Sequence, residues 1–144
     1  LTITCFGVVL AKGEGMLKKL TPAFYLGLGS TISSGDQMIS WVHIDDIIKG
    51  YDHLIQHPEI TGIINLCSPN PVSQKTFAQS LARSMHRPLL LTTPAFIIRT
   101  LFGEMGESLI LEGQVVIPKR LMALGFEFKH PFIDEALQVE FGSP

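Results

Sequence analysis

Thr2-Ile3-Thr4-Cys5-Phe6-Gly7-Val8-Val9-Leu10 and Gly62-Ile63-Ile64-Asn65-Leu66-Cys67 decide the fold. Both are short runs of β-branched and other apolar residues with little polar face, the pattern of strands buried within a sheet. Between them Ile47, Ile48, Tyr51, Leu54 and Ile55 follow helical spacing, and Pro58 stops that helix. Strand, helix, strand in this order predicts parallel pairing in an α/β sheet. Two parallel strands do not make a sheet alone, so further strands are expected from outside this chain or from a partner. The chain opens directly in a β-branched run, without Met and without the basic start of a signal peptide. It reads as a truncated or processed chain.

Working outward, Gly13 and Gly15 break the first strand. Met16, Leu17, Leu20 and Phe24 then space a helix to Leu26, with Pro22 as a kink or early end. Gly27–Gly35 reads as a loop. Met38 to His43 reads as a short strand with Ile39, Trp41 and His43 on one face, and Asp45 as the N-cap of the next helix. Ser68-Pro69-Asn70-Pro71 is a rigid turn, and Ser73 caps a helix whose Phe77, Leu81 and Met85 form one stripe. Leu89–Leu91 reads as a short strand. Thr93 and Pro94 open a helix through Ile97, Ile98, Leu101 and Phe102, and Leu109–Leu111 is expected to be helical. Pro118–Leu124 is a short helix ended by Gly125, Phe126-Glu127-Phe128 an edge strand, and Pro131–Phe141 a last amphipathic helix.

The 144 residues fit one domain or a large piece of one, and 46% hydrophobic against 17% charged residues supports a packed core. The formal charge is −2 and no stretch gathers Lys and Arg into a stripe, which argues against a nucleic-acid partner. No apolar run approaches the roughly 18 residues of a membrane span. Cys5 and Cys67 both lie in apolar runs and read as buried, reduced thiols of a cytoplasmic protein.

Four clusters invite a chemical reading. Gly13-Glu14-Gly15 follows a strand and opens a helix, as a phosphate-cradling turn does. Lys18 stands at the third glycine position, however, and Glu14 brings negative charge to the place of the anion, so a plain strand-to-helix turn is expected. His53 and His57 share one helix face, but Leu54 replaces the metalloprotease Glu and no third ligand is evident, so no metal site is expected. Asp45 and Asp46 read as an N-cap and a first-turn acid favoured by the helix dipole. Trp41 and His43 share a strand face beside a Gly-rich loop, and either line a pocket or pack as an ordinary core Trp and a hydrogen-bonded His. No nucleophile-elbow serine is present, and neither cysteine has electropositive neighbours in sequence.

A longer set of phrases speaks together. Phe6-Gly7-Val8-Val9-Leu10, Leu26-Gly27-Leu28-Gly29, Ser34-Gly35-Asp36-Gln37 and Ser40-Trp41-Val42-His43-Ile44-Asp45-Asp46 come first. Ile64-Asn65-Leu66, Ser68-Pro69-Asn70-Pro71-Val72, His86-Arg87-Pro88, Leu101-Phe102-Gly103-Glu104-Met105, Val116-Ile117-Pro118-Lys119-Arg120-Leu121 and Gly125-Phe126 follow. In this order they resemble the carboxy-terminal portion of the YfcH-like branch of the extended short-chain dehydrogenases/reductases, the NAD-dependent epimerase/dehydratase type.

That resemblance implies an α/β fold: late parallel strands of a Rossmann sheet plus a mostly helical substrate lobe. Residues 1–88 would hold the late strands and lobe elements, and 89–144 a family-specific extension. It implies that Gly7, Val8, Val9 and Leu10 lie against the nicotinamide end of NADP or NAD. It places Trp41, His43 and Met38 near the substrate, with the Gly27–Gly35 loop covering the cleft. The family's Gly-rich loop and Tyr-x-x-x-Lys pair, which relay hydride and proton, are absent: Tyr25 and Tyr51 are followed four residues on by Gly29 and Ile55. The chain is therefore expected to be the substrate-binding portion of an epimerase or oxidoreductase, to bind no cofactor tightly alone, and to have no catalytic residue of its own. The substrate would be a small molecule of nucleotide-sugar type. The partner would be the missing amino-terminal Rossmann half or, in the alternative of a stand-alone self-associating module, a second copy. The resemblance departs at Cys5, where members usually carry Arg, and at Asp36 and Met38 in the lid region.

Overall fold

The computed structural model describes residues 1–32, 34–94, 96–97, 100, 103 and 115–141. The expected helix through Ile98, Leu101 and Phe102 and the one at Leu109–Leu111 fall outside the described residues.

The first apolar run forms two strands, β1 (Thr2–Phe6) and β2 (Val8–Leu10). After α1 (Gly15–Tyr25) come β3 (Ser30–Ile32), β4 (Met38–Ile39) and β5 (Trp41–His43). Then follow α2 (Ile44–Gln56), β6 (Gly62–Leu66), β7 (Val72–Ser73), α3 (Gln74–Ser84), β8 (Leu91–Thr93), α4 (Lys119–Ala123) and α5 (Ile133–Phe141). The expected parallel pairing is present: β1 runs beside β6, Thr2 opposite Gly62 through Phe6 opposite Leu66. β2 pairs instead with β5, Val8 opposite Trp41 and Leu10 opposite His43. The Ser68 N–H donates to the Trp41 carbonyl at 2.7 Å, so β5 wedges between β2 and the end of β6.

The switch of partner happens at Gly7. Thr4 and Phe6 point toward α2, where Thr4 Oγ1 lies 2.9 Å from Tyr51 Oη and Phe6 meets the Tyr51 ring edge-on at 6.1 Å. Strict alternation would send Val8 and Leu10 to that same face. They instead join the core under α1, α3 and α5, with Leu17, Trp41, Phe77, Leu81 and Leu137, while Val9 packs on the α2 side with Val42, Ile64 and Leu66. One residue of slip at Gly7 inverts the faces, as a bulge does. A Cβ at Gly7 would sit 2.2 Å from the Ser40 carbonyl oxygen, so only glycine fits where the chains cross.

Several expectations are corrected. β1 is not buried among the described residues: Ile3 is 51% and Phe6 43% exposed, and Cys5 is exposed; the one described strand it pairs with is β6. Ser30–Ile32, expected as loop, is a strand parallel to Leu91–Thr93, held by the buried Gln74, whose Oε1 accepts the Ile32 N–H at 2.8 Å. The strand expected at Leu89–Leu91 lies two residues later. α1 runs past Pro22 to Tyr25. Phe126–Phe128 forms no strand; the two rings meet edge-on at 4.9 Å, with Phe126 in the core. The cap at Ser73 is as expected, its hydroxyl accepting the Thr76 N–H. Among the described residues no helix is long and apolar enough to cross a membrane.

Candidate functional site

Gly7, Val8, Val9, Leu10, Trp41 and His43 lie together at the β2–β5 junction, and Met38 lies outside it. Gly7 and Val9 are half-buried, while Val8 and Leu10 are buried in the core. The Val8 N–H donates to Ser40, so β2 turns the peptide groups of Val8 and Leu10 toward β5 and those of Gly7 and Val9 toward the open edge. Met38, half-buried, pairs with Ser73 one strand further on.

Trp41 and His43 correct the cleft assignment. Both are interior side chains, 0% and 1% exposed. The Trp41 indole N–H donates to the Asn70 carbonyl at 2.9 Å, and its ring lies among Val8, Leu10 and Leu81. An indole so enclosed offers a substrate no surface; its place is to fix β5 against the Ser68–Asn70 turn. That turn is in turn tied to Pro131, whose carbonyl accepts from Ser68 Oγ and Asn70 Nδ2 at 2.8 and 2.7 Å.

His43 heads a polar cluster that the sequence did not announce. Its Nδ1 accepts the Asp45 N–H at 3.0 Å, which makes His43, not Asp45, the N-cap of α2. Its Nε2 faces Glu140 Oε1 of α5 at 2.7 Å, at an angle that falls short of hydrogen-bond geometry. The fully buried Asp46 accepts two backbone N–H groups, from Lys129 at 2.6 Å and His130 at 2.9 Å. Asp45 meets His130 Nε2 at 3.1 Å and Lys129 Nζ at 3.8 Å, and the His43 and His130 rings lie 4.3 Å apart. Burial acts to raise the Asp45 pKa. The His130 hydrogen bond and the charges of His43, Lys129 and His130 outweigh it and leave it below the ordinary 3.8.

His43, Asp45 and His130 each bring a donor atom within 4.8 Å of the others, a spacing open to a metal ion. The Asp45 N–H already occupies His43 Nδ1, and the Lys129 ammonium stands beside Asp45, so the cluster serves as a polar clasp. It fastens residues 129–130 and α5 to the start of α2. The Asp45–Asp46 pair was visible in the sequence; its partners, more than eighty residues away, were not.

The other motifs stay apart from this junction. His53 and His57 stack at 4.4 Å, and His57 Nδ1 donates to the His53 carbonyl at 2.8 Å, which takes that nitrogen out of metal binding. His53 lines a shallow depression of about 260 Å³ with Lys49, Gln56 and Phe126. Glu14 precedes α1 without a side-chain cap, its carboxylate at the helix start where a phosphate would need room. Burial pushes the Cys67 thiol up to about 11.

A family model described as "Domain of unknown function (DUF1731)" matches residues 93–139. The epimerase family protein Mb2239 of Mycobacterium bovis is 38% identical over 131 residues, which cover 91% of this chain and 44% of that protein. A crystal structure of the human epimerase family protein SDR39U1 (isoform 2) with NADPH superposes at a TM-score of 0.90 and 31% identity, over 96% of this chain and 47% of that one. The nucleoside-diphosphate sugar epimerase of Corynebacterium glutamicum superposes at 0.74 and 27% identity, over 98% of this chain and 26% of that one. The fold is that of the Rossmann-type extended short-chain dehydrogenases/reductases. Within that class the chain is similar to the carboxy-terminal portion of the epimerase family proteins and spans less than half the length of these relatives.

Proposed function

We propose that this chain is the substrate-side portion of an NADP- or NAD-dependent epimerase or oxidoreductase acting in the cytoplasm on a small molecule, with a nucleotide sugar as the candidate. Residues 1–88 supply late Rossmann strands and lobe elements, and 89–144 the family extension. The single observation that carries the reading is the open strand of β1 and β2. It ends at Gly7–Leu10, pairs along one edge only among the described residues, and turns the peptide groups of Gly7 and Val9 outward. A nicotinamide ring would lie against that backbone. The bound cofactor supplies hydride transfer; these residues supply position alone. Support comes also from the relatives, one of which was crystallised with NADPH.

The residues present do not fit a whole dinucleotide. Glu14 occupies the one glycine-flanked helix start after a strand, and neither tyrosine is followed by a lysine four residues on. The chain alone is therefore catalytically silent. Calorimetry with NADP⁺ tests this: no heat of binding is expected in the micromolar range, and micromolar affinity would contradict the reading. A second reading, a self-associating module, draws on the same open edge. Light scattering separates the two, since edge pairing between copies requires a dimer.

A further inference from the structure

The clasp at the start of α2 leaves one buried nitrogen without an explanation. His43 is 1% exposed and its Nε2 has no hydrogen-bond partner, although Glu140 Oε1 stands 2.7 Å away. A buried polar atom without a hydrogen bond is costly and asks for a reason. The other side of the ring supplies one. His43 Nδ1 lies 3.6 Å from Asp45 Oδ2, and His130 Nε2 lies 3.1 Å from the same oxygen. Four-coordinate Zn²⁺, with donors about 2.0–2.1 Å away, spaces those donors roughly 3.3–3.4 Å apart. Two edges of the triangle straddle that spacing, and all three atoms lie within 4.8 Å of one another.

Two imidazoles and a carboxylate are the donor set of a three-ligand zinc site whose fourth position takes water. His43 and His130 are buried, while Asp45 is 36% exposed and opens the cluster to solvent on one side. A metal-ligating histidine turns its other ring N–H to a carboxylate, which fixes the ring. Glu140 Oε1 stands in that place behind His43, and its second oxygen accepts the Lys12 N–H at 3.0 Å. Asp46 holds the backbone N–H groups of Lys129 and His130, so the turn that carries the third donor is fixed as well.

Two positive groups now share these donors. The Asp45 N–H lies 3.0 Å from His43 Nδ1, and the Lys129 ammonium 3.8 Å from Asp45 Oδ2. Neither bars an ion. The N–H is a single cap bond against three metal–donor bonds, and the Lys129 side chain, 63% exposed, can turn into solvent.

We propose that His43 Nδ1, Asp45 Oδ2 and His130 Nε2 bind a divalent transition-metal ion, Zn²⁺ by its donor set, with Glu140 supporting the His43 ring. The ion exchanges the cap bond for metal bonds and pins the 129–130 turn to the start of α2.

Titration of this chain with Zn²⁺ and with Co²⁺ at about pH 7.5 tests the site. One ion per chain is expected, with a Kd below about 10 μM. Co²⁺ gives the intense visible absorption of tetrahedral coordination. Zn²⁺ shifts the ring nitrogen resonances of His43 and His130 and leaves those of His53 and His57 in place. His130→Phe and Asp45→Asn each weaken Zn²⁺ at least about tenfold, and Glu140→Gln does so about tenfold through the ring it supports. His57→Ala, which breaks the stacked histidine pair of α2, binds as the parent does. Circular dichroism reports whether each variant is folded, and for one that is not, the ring resonances and the Co²⁺ spectrum of the parent decide. A weaker Kd in the parent, an octahedral Co²⁺ spectrum, or affinity that survives His130→Phe and is lost in His57→Ala overturns the proposal.

Discussion

Replacing Gly7 by alanine adds one methyl group at the point where the fold has no room for it. The new carbon would stand 2.2 Å from the Ser40 carbonyl oxygen and 2.5 Å from its carbon, both well short of ordinary contact, which begins at 3.4 Å. Both obstructing atoms are backbone, so no rotamer change relieves the clash. The strands must part, and the first casualty is the 2.7 Å bond from the Val8 N–H to that same carbonyl. Overpacking of this kind costs about 1–3 kcal/mol and the lost buried bond about 1 more, together roughly 3 kcal/mol or a melting temperature about 10 °C lower. Gly13→Ala is the control. Nothing lies within 4 Å of its Cβ, and its cost comes only from a φ of +79°, about 1 kcal/mol. Thermal melts by circular dichroism, run on the two variants in parallel, read the difference. If Gly7→Ala melts within about 2 °C of the parent, or if Gly13→Ala is the worse of the two, the crossing of β2 over Ser40 is not as described.

Three further outcomes follow from the clasp and the helix ends. Asp46→Ala leaves the buried His130 N–H and the part-buried Lys129 N–H without an acceptor; a loss of about 2 kcal/mol is expected, with fast hydrogen exchange at those two amides in place of protection. Asp45 has a pKa held below the ordinary 3.8 in the fold. Its contribution is therefore complete above that value and disappears as pH falls through the lower folded one. With a third of the side chain exposed the effect is about 1 kcal/mol or less; Asp45→Asn should lose that amount near pH 7 and flatten the acid limb, so that variant and parent converge as pH falls below about 4. His86 ends α3 at φ +56°, where the Arg87 N–H reaches back to the Ala82 carbonyl in a Schellman closure. His86→Gly removes the strain and should raise stability by about 1 kcal/mol in urea melts, and a loss would mean the ring makes a contact that matters more.

What was legible in the sequence was whatever depends on near neighbours. The parallel order of β1 and β6 follows from two apolar runs with a helix between them, and the Ser73 cap needs only Thr76, three residues on. The burial of β1 was misread for a different reason. Ile3 and Phe6 show that the strand suits an interior, but sequence says what a residue prefers and not which polypeptide satisfies it. β3 escaped notice because Ser30-Thr31-Ile32 lies among glycines and serines, and its strand character comes from Leu91–Thr93 and from the Gln74 amide. The alternation of Phe126 and Phe128 had the right period and no strand to pair with.

The polar clasp shows how a sound local preference is displaced. Aspartate is a favoured N-cap, and Asp45 stands at the right place before an apolar helix. Had it capped α2, its carboxylate would have been spent on a backbone N–H inside the first turn. The His43 ring takes that role one step earlier by accepting the Asp45 N–H. Both carboxylates are then free to point away from the helix, Asp45 to the His130 ring and Asp46 to the backbone of Lys129 and His130. A buried carboxylate with two N–H donors is well compensated, whereas the peptide turn at 129–130 without it would leave a buried and a part-buried donor unpaired. The requirement that decides the arrangement therefore sits in the loop before α5, and no window of sequence around Asp45 contains it.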